Sequence, residues 1–255
     1  MTMTTIDVTT IGPLTHPEAM RLQAQELERT LTLLRALDGA AWAAQTDCPA
    51  WDVRAMYQHV LGACEAGASM RENIRQFGRA LAYRRQHGGP LEAALTAVQI
   101  RARADLTPAQ IVARLAAVAP VTVRGRRRVP APARRHVRLK VDGPVFETWR
   151  LGYLVDTIYL RDLWMHRIDA ARAAGRPAEL TADHDGRIVS DIVAEWARRH
   201  GQPFVADLGG PAGGSYASGP GRPDAERLSL DAVEFCRTLA GRAPASGLLA
   251  TIVPF

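Results

Sequence analysis

One segment, residues 153–169 (Tyr-Leu-Val-Asp-Thr-Ile-Tyr-Leu-Arg-Asp-Leu-Trp-Met-His-Arg-Ile-Asp), is apolar at helical spacing yet carries ionisable side chains along a single line. Leu154, Ile158, Met165 and Ile168 mark a helix with a largely buried surface. Tyr159, Asp162, His166 and Asp169, at spacings of three, four and three, form a continuous polar stripe on it. Ionisable groups on a buried helix need partners. The segment therefore demands a fold in which another helix brings polar groups to the stripe.

Other helices are legible from caps and periodicity. His16-Pro17-Glu18 predicts a helix start, with proline in the first turn and an acid beside the helix N-terminus. Leu22, Leu27, Leu31, Leu34 and Leu37 follow at helical spacing until Asp38-Gly39. After a turn at 46–52, Asp52 caps a helix expected from Val53 to about Gln76, with further helical sequence to Gln86 and a break at His87-Gly-Gly-Pro90. Thr107-Pro108 starts a third helix, to about Val118. A fourth, Phe146 to Ala174, stops at Gly175 with Pro177 just beyond. Four principal helices with apolar faces predict a four-helix bundle over residues 1–176. Residues 177–255 differ: a helix Ala182–His200, short strands Pro203–Leu208, Ser215–Ser218 and Arg227–Leu230, a helix Asp231–Ala240 and a terminal strand Leu248–Val253. The expectation is a mainly α protein with a small α+β part, a bundle followed by a small C-terminal α/β domain.

The net charge of +6 does not point to nucleic acid. Residues 124–140 hold eight Arg or Lys and no acid, so the remainder is slightly acidic. This stretch is neither interleaved with aromatics nor read as a helix face, which argues against a nucleic-acid partner. It reads as a solvated, proline-interrupted connector; the alternative is that its arginines grip an anionic substrate or thiol cofactor. Lys140 is the sole lysine among 32 basic residues, which points to GC-rich coding of actinobacterial type. No apolar run approaches membrane-spanning length, and the first residues lack a basic and apolar leader. Cys48, Cys64 and Cys236 are too scattered for a disulfide framework. No membrane partner, a cytoplasmic location and a monomer or homodimer are expected.

Asp162 and His166 stand one turn apart on one helix face, where a third group from another helix would complete a divalent-metal site with coordination positions to spare. His59 is the candidate, placed among Met56, Val60 and Ala63 on the second helix. Asp169 is spaced to orient His166 from behind. Each feature has a plainer reading: the pair as an exposed intrahelical ion pair, the histidine as a satisfied core residue. Arg54 reads as a structural ion pair, and Cys48 and Cys64 as structural. The glycine-rich 209–215 segment lacks a Walker lysine, and no Gly-x-Ser-x-Gly or His-Glu-x-x-His motif is present.

Residues 47–59, Asp-Cys-Pro-Ala-Trp-Asp-Val-Arg-Ala-Met-Tyr-Gln-His, resemble the Cys-Pro-Gly-Trp-x-Val-Arg…His segment of the mycothiol-dependent maleylpyruvate isomerase family, part of the DinB-like metalloenzyme superfamily. Residues 161–169 resemble its acid-x-x-x-His motif with a following Asp, and residues 232–242 its C-terminal helix with a Gly-Arg end. The resemblance implies a DinB-like bundle with His59, Asp162 and His166 as ligands to a divalent metal, zinc. It implies mycothiol as thiol cofactor and Arg242 as a substrate-contacting residue, with Arg237 as its rival; Tyr159, on the polar stripe, is a separate candidate helper. The family usually has Glu where Asp162 stands, so the shorter side chain must bring its helix closer or bind through water. A thiol entering the open position is deprotonated. The implied activity is isomerisation of, or S-transfer to, a small electrophile. The alternatives are a DinB-like binding module without metal and a thiol-independent metallohydrolase.

Overall fold

Two residues near the N-terminus, Ile6–Asp7, form β1, and the first helix, α1, runs over His16–Arg35. The computed structural model describes residues 4–142, 146–219 and 225–255. α1 begins where the sequence predicts. Thr15 and Glu18 form a reciprocal capping box, and Pro17 lies in the first turn. A short turn, α2 (Gly39–Trp42), leads to α3 (Val53–Ala68), α4 (Met70–His87), α5 (Leu91–Arg101) and α6 (Pro108–Arg127). Then follow α7 (Ala131–His136), the hairpin β2 (Arg138–Asp142) and β3 (Phe146–Arg150), a helical turn α8 (Leu151–Tyr153), a wide π-turn Leu154–Ile158 and α9 (Tyr159–Ala173).

Residues 15–178 form one compact unit. Its long helices α1, α3, α6 and α9 pack against one another, and α4 and α5 lie alongside α3. Leu22, Leu27, Leu34, Met56, Leu61, Ile111, Leu115 and Met165 are fully buried between them, each contributing roughly 1.5–3 kcal/mol by leaving water. The closest crossing is between α3 and α6, where a Cβ on Gly125 would stand 2.2 Å from the carbonyl oxygen of Gly67. Backbone meets backbone there and no side chain can yield. Gly125→Ala is expected to lower unfolding free energy by about 1–3 kcal/mol, read as a fall in the urea midpoint with an unchanged slope.

Several elements differ from expectation, each for a local reason. The second helix is not continuous to Gln76: it breaks at Ser69, whose hydroxyl accepts from Glu72 N–H and caps α4. The third passes through Pro120, which is exposed, so the carbonyl that proline deprives lies on the solvent side. The basic stretch is largely exposed, as expected, but it is not an irregular connector. It comprises the end of α6, then α7, where Pro132 sits in the first turn and so initiates rather than breaks, and most of β2. Phe146–Arg150 is a strand rather than the start of the fourth helix, because Leu139 and Trp149, Val141 and Glu147 pair across the hairpin.

The second unit groups residues 4–14 with Glu179–Phe255. It contains α10 (Arg187–His200), β4 (Phe204–Gly209), β5 (Gly214–Ser218), β6 (Glu226–Asp231) and α11 (Ala232–Leu239). The sheet order is β1-β5-β4-β6, with β4 antiparallel to β5, and β1 and β6 parallel to their neighbours. β1 is too short to show an alternating pattern, yet it closes one sheet edge. Trp196, Phe204 and Phe235 meet edge-on in the core. The expected terminal strand is instead a 3₁₀ turn, Gly247–Ala250. Gly247 enters it with positive φ, and the Leu248 carbonyl accepts from the Trp196 indole at 3.0 Å rather than from a strand.

Candidate metal centre

α3 and α9 bring together the three side chains singled out from the sequence. His59, Asp162 and His166 each place a donor atom within 4.8 Å of the others. His166 Nε2 lies 3.2 Å from Asp162 Oδ1, and His59 Nε2 lies 4.0 Å from Asp162 Oδ2. The two imidazoles stand perpendicular, 5.5 Å between centroids. Asp162, although one methylene shorter than glutamate, thus lies near both ring nitrogens, closer to His166 than to His59.

Local structure explains why the groups converge. Asp52 accepts from Ala55 N–H at 2.7 Å and starts α3, setting His59 two turns in. The π-turn before α9 inserts an extra residue into the helical repeat. Asp156, three residues before Tyr159, points instead to His16, with Oδ1 2.6 Å from Nδ1, and to Arg134 at 3.1 Å. Gln23 donates to the Val155 carbonyl inside this turn at 2.7 Å. Regular helix then resumes and carries the stripe.

The two histidines are held differently. His59 Nδ1 is 2.7 Å from Gln99 Oε1, and Gln99 donates to Gln76 Oε1 at 2.9 Å. Gln76 in turn donates to the Gly62 carbonyl at 3.0 Å and to Glu72 Oε1 at 2.8 Å. This chain fixes Nδ1 as the protonated nitrogen and leaves the Nε2 lone pair turned toward Asp162. Gly62 makes room for it: a Cβ there would meet Gln99 Cβ at 2.7 Å. His166 is buried, and among the described residues neither of its ring nitrogens is in good hydrogen-bond geometry, although Nε2 faces Asp162. Its Nδ1 faces Asp169 at 3.7 Å, a carboxylate that is fully buried.

The electrostatics follow from these contacts. Burial pushes the His166 imidazole down, but Asp162 and Asp169 outweigh it and raise its pKa to about 9. Burial dominates at His59 and lowers its pKa below the ordinary value, against Asp162, which raises it. The trio therefore combines one neutral imidazole, one imidazole that holds a proton at neutral pH, and a carboxylate. Two nitrogens and one oxygen at this separation are a donor set suited to a divalent ion such as zinc.

Trp51 and Gln99 are the neighbours that sequence reasoning missed. Trp51 stacks on His59 at 5.5 Å and meets His166 edge-on at 5.9 Å. The turn before α3 positions it: Trp51 N–H donates to the Cys48 carbonyl, and its own carbonyl accepts from Thr46 Oγ1 at 2.7 Å. Tyr159 lies beneath the Arg126 guanidinium, 4.2 Å from its ring, and burial raises its phenol pKa, with Arg126 opposing and Asp162 reinforcing. Arg242 belongs to the second unit, where its N–H donates to the Arg237 carbonyl in the turn after α11. Arg237 is buried and pairs with Glu234 at 2.5 Å. Among the described residues Arg54 makes no ion pair; its guanidinium donates to the carbonyls of Ala104 and Leu106 after α5. Cys48 Sγ lies 4.0 Å from Asp169, so Cys48, His166 and Asp169 form a second cluster on the far side of the His166 ring. Cys64 is buried, and burial raises its thiol pKa.

Two solved structures share this fold over most of the chain. A crystal structure of a mycothiol-dependent maleylpyruvate isomerase aligns with TM-score 0.57 and 18% identity, covering 90% of each chain. A mutant of a mycothiol-dependent maleylpyruvate isomerase aligns with TM-score 0.56 and 17% identity, with the same coverage. At that identity the likeness is one of fold: a DinB-like helical bundle with a small α/β part. Comparison with curated proteins by sequence finds no match. The family model for the mycothiol maleylpyruvate isomerase N-terminal domain matches residues 12–171, a span that includes α1 and both helices bearing the trio, and the chain belongs to that family.

Proposed function

We propose that the protein is a mycothiol-dependent metalloenzyme that activates a thiol for isomerisation of, or S-transfer to, a small electrophilic substrate. The observation that carries this reading is the convergence of His59, Asp162 and His166 from two helices, with both ring nitrogens of buried His166 outside good hydrogen-bond geometry among the described residues. Family membership supports the thiol as mycothiol. In this reading the trio holds zinc, which supplies a Lewis acid with an open position that favours the ionised form of a thiol. Gln99 keeps His59 in one tautomer, and Asp169 orients His166 from behind. Trp51 covers one side of both rings and limits the access of water. Tyr159 keeps its phenol proton at neutral pH and can act as a donor near the reacting atoms.

The test uses metal-loaded protein with mycothiol and a panel of epoxides and unsaturated acids, read by mass spectrometry. Isomerised or S-conjugated product that requires mycothiol and disappears in His59→Ala is the expected result. Turnover without any thiol would instead mark a metallohydrolase. Metal far below one equivalent, unchanged by His59→Ala, would mark a binding module.

The electrostatics make a separate prediction. A metal must displace the proton that His166 holds below about pH 9. Zinc affinity of the metal-free protein is therefore expected to rise about tenfold per pH unit from neutrality and to level off above that pKa, with one proton released per ion. Competition against a chromophoric chelator across this range measures the slope. A flat profile would mean that His166 is not a ligand.

A further inference from the structure

We propose that the bundle carries a second binding site, for a small molecule bearing two or more anionic oxygens, in a cavity formed by α7, the end of β3 and α8. The cavity measures about 500 Å³ and is lined by Arg134, Arg135, His136, Arg150, Gly152 and Tyr153, among others, with no acidic side chain in its wall. That volume suits a small organic ligand and exceeds what a lone phosphate fills. The inference goes beyond the function proposed above, since no residue of the trio lines this cavity.

Charge is the main argument. Arg134 is already anchored: its Nε donates to the Val129 carbonyl at 3.2 Å and its Nη1 to Asp156 at 3.1 Å. Asp156 also faces His16, so its carboxylate is shared. Neither Arg135 nor Arg150 has a carboxylate partner among the described residues. Arg150 additionally faces Arg138 directly across the hairpin, a like-charge pair that opposes strand pairing. Packing holds these cations together: a Cβ on Gly152 would stand 3.1 Å from the Arg134 carbonyl, so α7 and α8 are pressed close. The exposed guanidinium groups of Arg135 and Arg150, beside the Asp156-paired Arg134 at a concave wall, match a ligand whose carboxylate or phosphate oxygens accept in pairs. Tyr153, with Trp149 at 5.4 Å, adds an aromatic side.

The experiment is isothermal titration of the full chain with citrate and with inorganic phosphate at low ionic strength, with glucose as the neutral control. Citrate is expected to bind once per chain and more tightly than phosphate, weakening as salt is added. Arg135→Gln and Arg150→Gln should each reduce its affinity about tenfold, leaving metal content and melting temperature unchanged. His59→Ala should leave citrate binding intact, which separates this site from the metal centre. Absence of binding by both anions at millimolar concentration, or equal affinity in the Arg135→Gln/Arg150→Gln double variant, would overturn the proposal. Tighter binding of a short DNA duplex than of citrate, lost in the same variants, would overturn it in favour of a nucleic-acid surface.

Discussion

Replacing His166 by alanine is expected to lower zinc affinity by about two orders of magnitude or more, so that the protein no longer purifies with one equivalent of metal. The size of the effect follows from ligand arithmetic. Zinc held by three or four protein ligands is stabilised by about 10–16 kcal/mol in total, so each ligand accounts for roughly 3 kcal/mol, and a factor of ten corresponds to about 1.4 kcal/mol. His166 is a sharp target because two clusters share it, one with His59 and Asp162 and the other with Cys48 and Asp169. The first has the better chemistry. His59 is fixed by Gln99 with Nε2 turned inward, and Asp162 is near both rings. The second depends on Cys48, whose sulfur stands 4.0 Å from Asp169. His59→Ala should therefore lower affinity as strongly as His166→Ala, whereas Cys48→Ser should leave it within a factor of two or so. Elemental analysis and chelator competition on the three variants read the outcome. Retention of metal in His59→Ala together with loss in Cys48→Ser would move the centre to the other side of the ring.

The trio was legible because each member stood out against an apolar helix. Periodicity alone puts Asp162 above His166, and the neighbours Met56 and Val60 place His59 near a buried face. The residue that holds His59 was not legible. Gln99 lies on α5, whose sequence Leu-Glu-Ala-Ala-Leu-Thr-Ala-Val-Gln-Ile-Arg spreads apolar residues around the helix and offers no polar stripe to compare against. Trp51 sits in a turn, where spacing says nothing about direction. The hairpin was hidden by composition. In residues 138–142 the alternation of Leu139 and Val141 with charged side chains is the signature of a strand, but it is embedded in a run of arginines that reads as solvated chain. The π-turn has no sequence signal in this chain. It is held from afar: Gln23 donates to the Val155 carbonyl, while His16 and Arg134 engage the Asp156 side chain.

The largest effect on stability is expected at a pair that lies off the metal site. Arg167 follows His166 in sequence, so it leaves α9 on a different face, toward α1. There its Nε donates to Glu26 Oε1 at 2.5 Å and its Nη2 to Oε2 at 3.1 Å, with Glu26 at 0% and Arg167 at 2% relative exposure. Both charges have left water, a cost that their bidentate contact helps to offset. Glu26→Leu would take the bidentate carboxylate from the buried guanidinium and is expected to destabilise the protein by about 3–5 kcal/mol. Arg167→Met should do the same from the other side. The double variant, in which both charges are replaced by apolar side chains of similar size, is expected to recover most of the loss, because the penalty belongs to the unmatched charge rather than to the missing contact. Urea unfolding of the four proteins forms a double-mutant cycle. Additive losses would show that the pair is not coupled. Recovery in the double variant would show that burial of these charges fixes which faces of α1 and α9 meet at some expense in stability, and that His166 on the neighbouring face inherits its orientation from that choice.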